Sequence, residues 1–205
     1  MDSCKHTTAF MATVAIENML IPNVYTFTFG FRVNTADFNE QNVAFGRIKH
    51  LIEARLSNAL IIKKTHPKWK TLSNVDNNLM VMPVDPMDFP IACALFKKMQ
   101  SVVEGRFDIV SLELNSLIGD QVDYFITSDD IDEIDAFLDS MPEKDRWWND
   151  VGPNLNKSQA YVDWKPIGLE WQTTKKGKTA GQPKIARIVQ FNPKVVEGGE
   201  SGKKD

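Results

Sequence analysis

Tyr25-Thr26-Phe27-Thr28-Phe29-Gly30-Phe31-Arg32-Val33, followed closely by the segment 37–62, is the stretch that decides the fold. In the first part every odd position is aromatic or aliphatic and every even one is Thr, Gly or Arg. Period two is the signature of a half-buried strand, and it puts Phe27, Phe29, Phe31 and Val33 on one face. After Val33 the period changes. Asp37 with Glu40 three residues on has capping-box spacing, and Val43, Ile48, Leu51, Ile52, Leu56, Ala59 and Leu60 recur at intervals of three and four. A helix is expected from there towards Pro67, with Arg47, Lys49, His50, Glu53 and Arg55 on its polar side.

Working outward, Pro22-Asn23 reads as a turn, so residues 9–17 are expected to form a hairpin with residues 24–33, with a short N-terminal helix as the alternative. Leu79-Met80-Val81-Met82-Pro83-Val84 reads as a buried strand. Asp88 is placed to cap a helix with Pro90 in its first turn, an apolar side of Ile91, Leu95, Phe96, Met99, Val102 and Val103, and Gly105 just past its end. Residues 107–114 and 122–127 read as two antiparallel strands, and Ser128 as the cap of an acidic-fronted helix ending before Pro142.

This order implies an α+β fold: a mixed or antiparallel sheet with about three helices packed on one face, ferredoxin-like in spirit, plus a looser C-terminal β region. The expected division is a core domain over residues 1–145, a C-terminal β extension with a basic arm over 146–194, and a disordered tail over 195–205. In the extension, Trp147-Trp148 marks a junction, and residues 161–172 and 185–191 are candidate strands.

Composition bounds the function. The chain has 205 residues, 42% of them hydrophobic and 25% charged, with a net charge of −3, close to globular averages. Two cysteines make neither a disulfide framework nor a zinc site, so a reducing, cytoplasmic compartment is expected. No run approaches the roughly 20 apolar residues of a membrane span. The histidines, His6, His50 and His66, lack metal-binding spacing, and no phosphate loop, nucleophile elbow or dinucleotide fingerprint occurs. No cofactor and no resident metal are expected, and Cys93 lacks an evident partner base.

Two basic segments carry the expected chemistry. Lys63, Lys64, Lys68 and Lys70 surround Trp69, the ingredients of a loop that contacts phosphates and stacks a base. Lys175, Lys176, Lys178, Lys184 and Arg187 form a basic arm with aromatic residues interleaved. A non-catalytic module contacting single-stranded RNA or DNA is the leading expectation. The competing reading of the first segment is structural: cations complement a helix C-terminus, and Trp69 covers the core edge. A protein-interaction or self-assembling factor whose basic arm docks on the acidic face near residues 129–139 is the second function. A metal-dependent phosphoester enzyme using Asp129, Asp130, Asp132, Glu133 and Asp135 is the third.

Overall fold

The computed structural model describes residues 3–74, 78–119 and 122–171. The chain is an α+β fold on one six-stranded mixed sheet of order β4-β3-β1-β2-β5-β6. A long antiparallel hairpin, β1 (Cys4–Ile16) with β2 (Met19–Val33), forms its centre. Helix α1 (Phe38–His50) follows and continues as a π-helical stretch, Leu51–Leu56. Then come β3 (Leu60–Lys63), the short α2 (Trp69–Leu72), β4 (Leu79–Met82), α3 (Asp88–Val103), β5 (Phe107–Ser116), β6 (Tyr124–Thr127) and α4 (Ile131–Asp139). β3 and β4 add parallel to β1 on one side, and β5 and β6 add antiparallel on the other.

One face of the sheet carries the main core. Phe27, Phe29 and Phe31 of β2 join Ile48, Leu51 and Leu56 of the first helix, most of α3, and Ile134 and Leu138 of α4. On the other face Ala15, Leu60, Ile62, Leu79 and Val81 form a smaller cluster covered by Trp69 and Leu72.

Three expectations need correction. The turn of the first hairpin is Glu17-Asn18, and Pro22-Asn23 lies inside β2. Pro22 faces Thr13, whose N–H is directed to the Ala59 carbonyl beyond β1, so Pro22 is not asked to bond β1. On its other side β5 does not begin to pair with β2 until Tyr25. The missing N–H therefore breaks no ladder. Second, the helix stops at Leu56. Asn58 takes the left-handed conformation (φ 61°), and Leu60-Ile61-Ile62 becomes a buried parallel strand. A short, fully apolar run satisfies a two-sided strand as well as a helix face. Third, residues 161–171 hold no strand: Trp164 turns inward, and Pro166 and Gly168 (φ 71°) shape a single turn of 3₁₀-helix. The candidate strand at 185–191, the basic arm and the tail lie outside the described residues.

The segment after α4 is tied into the core. Trp147, Trp148, Leu155 and Trp164 are buried in the main cluster. The Trp147 indole donates to the Val81 carbonyl (2.7 Å), and the Val81 N–H donates to the Leu155 carbonyl (3.0 Å), so this segment covers the outer edge of β4. Arg47 clamps the following strap. Its guanidinium donates to the carbonyls of Leu169 and Val102 and to Glu104, and lies over the rings of Trp164 and Trp171.

Candidate functional site

The parallel strands give the sheet a polarity. β1, β3, β4 and β5 all run the same way, so their C-terminal ends share one rim. Loops at the end of a sheet are freer of packing duty than the strands they join, and binding residues are often carried there. Two adjoining hollows lie on this rim.

The first, of about 220 Å³, is walled by Val14, Ile16, Ile21, Pro86, Met87 and Ile118, with Asn23, Tyr25 and Asp88 as its polar groups. Asp88 opens α3, where the helix dipole favours a negative charge. It is 5% exposed, and the Ser116 hydroxyl donates to its Oδ2 at 2.6 Å. Asn23 is also buried; its Oδ1 accepts from the N–H groups of Val24 and Ile118, which ties the end of β5 to β2. Burial pushes the Tyr25 phenol well above its ordinary range; the Asn23 side chain opposes this and the Asp88 charge adds to it. Gly119 closes over the group: a Cβ there would collide with Asp88 Oδ2 and Ser116 Oγ.

The second hollow, of about 360 Å³, shares Ile16 and Met87 with the first and adds Glu17, Lys63, Thr65, His66 and Asp85. Lys63 Nζ lies 3.2 Å from Asp85 Oδ1. His66 Nδ1 accepts from the Lys68 N–H (3.1 Å), which places the ring proton on Nε2. That Nε2 is buried without a hydrogen-bond partner among the described residues. Glu17 holds φ at 53° in the hairpin turn beside it.

No family model matches the chain, and no curated protein matches it. Solved structures do. An uncharacterized protein, WS1659 from Wolinella succinogenes, superposes with a TM-score of 0.45 at 12% identity, over 62% of this chain and 98% of that one. A catalytic-residue mutant of Plasmodium vivax 6-pyruvoyltetrahydropterin synthase superposes at 0.38 and 9%, over 62% and 98%. The Plasmodium falciparum enzyme superposes at 0.37 and 12%, over 60% and 96%.

The basic residues expected to meet nucleic acid are placed as follows. Lys63 engages Asp85, Lys64 Nζ lies 2.7 Å from Asp145, and Lys68 Nζ donates to the Asn18 carbonyl at 3.0 Å. Trp69 packs on the smaller apolar cluster, and Lys70 is exposed on α2. Three of the four lysines are thus directed at different intramolecular acceptors. Lys175, Lys176, Lys178, Lys184 and Arg187 lie outside the described residues. In the acidic helix, Asp130 accepts from the Thr127 N–H and hydroxyl, which holds its carboxyl below the usual range, and Asp135 pairs with Lys97. Among the described residues no three His, Cys, Asp or Glu side chains gather to hold a metal ion. Cys93 is buried in α3, and burial pushes its thiol up to about 12.

Ser116 escaped the sequence reading, Asn23 and Gly119 entered it only as turn or loop residues, and Asp88 only as a helix cap. Each looks like an ordinary turn or cap residue. Their convergence depends on how β2, β5 and α3 meet, which no local pattern encodes.

Proposed function

We propose that the chain is a small-molecule-binding protein whose ligand occupies the rim crevice and is anchored at Asp88. The observation that carries this reading is a buried carboxylate, Asp88, set beside Asn23 and Tyr25 in the lining of a mainly apolar hollow. The Ser116 hydroxyl already bonds this carboxylate within the fold, and a carboxylate has acceptor sites for more than one donor. A carboxylate accepts and does not donate, so the matching ligand group is an N–H donor: an amine, an amidine, or the edge of an amino-substituted heterocycle. Its body lies against Ile16, Ile21, Pro86, Met87 and Ile118. A polar end reaches the second hollow, where Lys63, Glu17 and Asp85 offer charges of both signs.

The test is a thermal-shift screen of the full chain against amines, amidines and amino-heterocycles, repeated with Asp88→Asn. A ligand at about a hundred times its Kd stabilises by about 2.7 kcal/mol. That gain is expected in the wild type and lost in the variant. A screen without any stabilising compound, or stabilisation indifferent to Asp88→Asn, would refute the proposal.

A further inference from the structure

β1 carries a bare edge. Its pairing with β2 runs unbroken from Cys4 opposite Phe31 to Ile16 opposite Met19, whereas β3 pairs with it only from Thr13 to Ala15. The Thr13 N–H donates to the Ala59 carbonyl, and the Met11 carbonyl accepts from the Asn58 N–H. Odd-numbered residues of β1 therefore direct their peptide groups away from β2, and strand alternation carries this pattern back towards Cys4. Lys5, Thr7 and Ala9 present three N–H donors and three carbonyl acceptors along an edge that no strand covers among the described residues. All three are exposed. The chain handles the β4 edge differently, covering it with Trp147 and Leu155. A bare edge invites another strand.

The surroundings of this edge suit one. Between His6, Thr7 and Thr8 of β1 and Phe45, Ile48 and Ile52 of the first helix runs a groove of about 290 Å³. An added strand would pair its backbone with β1 and lay alternate side chains into that groove, the geometry of strand addition. The groove rim carries one charge of each sign, Lys49 and Glu53, 3.8 Å apart.

We infer that this edge joins two copies of the chain in a two-fold antiparallel strand contact centred on Thr7. With Thr7 on the axis, Thr7 faces Thr7 and Lys5 faces Ala9, and the outward N–H and carbonyl groups of Lys5, Thr7 and Ala9 in both strands all find partners. No lysine meets a lysine. An axis at His6 pairs Ala9 with Ser3, which precedes the strand, and an axis at Thr8 pairs Lys5 with Met11, whose carbonyl Asn58 already holds. The rim can set Lys49 against Glu53 of the second copy, since each copy supplies both charges. The contact is isologous and closes on itself.

Sedimentation velocity of the full-length chain over a range of concentrations is expected to show a monomer–dimer equilibrium. Thr7→Pro removes the central outward N–H but leaves the β2 ladder, which uses the even residues, intact. It is expected to raise the dimer dissociation constant at least about tenfold while circular dichroism stays native. In a Cys4→Ser background, Thr7→Cys oxidised in air is expected to give a covalent dimer reversed by reductant, because hydrogen-bonded antiparallel positions lie about 5.5 Å apart, within disulfide range. Ala9→Cys, which faces Lys5 instead of itself, is expected not to crosslink. A monomer at every concentration, an assembly larger than two, or a dimer unmoved by a natively folded Thr7→Pro would overturn the inference. So would crosslinking at Ala9→Cys in place of Thr7→Cys, or an edge occupied by a strand from a different protein.

Discussion

Lys98 lies on α3 with none of its surface exposed, and its ammonium donates to the backbone carbonyls of Trp147 (3.0 Å) and Asp150 (2.8 Å). Burial pulls its pKa from 10.5 to about 7; the Asp150 carboxylate resists that shift, and Lys157 and Arg55 add to it. Below about pH 7 the lysine is charged in both folded and unfolded chains, and the folded state bears the whole cost of the buried charge. Between about 7 and 10.5 the folded chain releases the proton while the unfolded chain keeps it, so stability rises with pH at about 1.4 kcal/mol per unit. Above 10.5 the contribution is flat. Lys98→Met removes this titration and leaves the two carbonyls without their donor, a loss of about 1–3 kcal/mol each that does not depend on pH. Urea unfolding of both proteins at pH 7, 8 and 9 is the assay. The wild type is expected to gain about 2–3 kcal/mol over Lys98→Met across those two units. Parallel stability curves would refute the reasoning and show that the two carbonyls solvate the ammonium as well as water does.

Three further substitutions probe the strap and the rim. Arg47→Ala removes a buried cation that bonds Leu169, Val102 and Glu104 and packs between Trp164 and Trp171; it is expected to cost about 3–5 kcal/mol in urea unfolding and to shift tryptophan emission to the red. Arg47→Lys keeps the charge without the planar fork and is expected to fall between the two. Glu17→Gly relieves a non-glycine residue at φ 53° and is expected to raise stability by about 0.5–1 kcal/mol; an unchanged or lowered denaturation midpoint would show that the turn is not strained.

The strands and helices were legible in the sequence wherever period and burial agreed. β2 shows this best: its Phe residues alternate, and the core lies on that side. β5 shows why local patterns mislead. Its apolar residues change parity, from Phe107 and Ile109 to Leu112 and Leu114, because an irregularity at Val110 shifts the register with β2 between Gly30 and Phe31. An extra residue in one strand reverses which side chains face the core, so the broken alternation was itself the signal. β3 stayed hidden for another reason: Ala59, Leu60, Ile61 and Ile62 extend the helical spacing of Leu51 and Leu56, and only the Ser57-Asn58 pair marks the stop. The rim site was the least legible part. Asp88 fits a helix start and Asn23 a turn, and nothing local distinguishes those roles from lining a crevice.

α3 links these observations mechanically. Its N-terminal residue, Asp88, lines the crevice; ten residues on, Lys98 holds the Trp147 and Asp150 carbonyls, and the Ser101 hydroxyl donates to that of Trp148. At its C-terminal end the Val102 carbonyl and Glu104 accept from Arg47. Each contact fixes the helix along its axis as well as against the sheet. A carboxylate on a helix pinned at several depths is held more rigidly than one on a free loop, which is what orienting a small ligand requires. Loosening the far end should therefore be felt at the near one: if Arg47→Ala lets the helix slide, any ligand that stabilises through Asp88 should stabilise the variant less, although the two side chains share no contact. Equal stabilisation would mean that the β2 and β5 framework, through Asn23 and Ser116, positions Asp88 by itself.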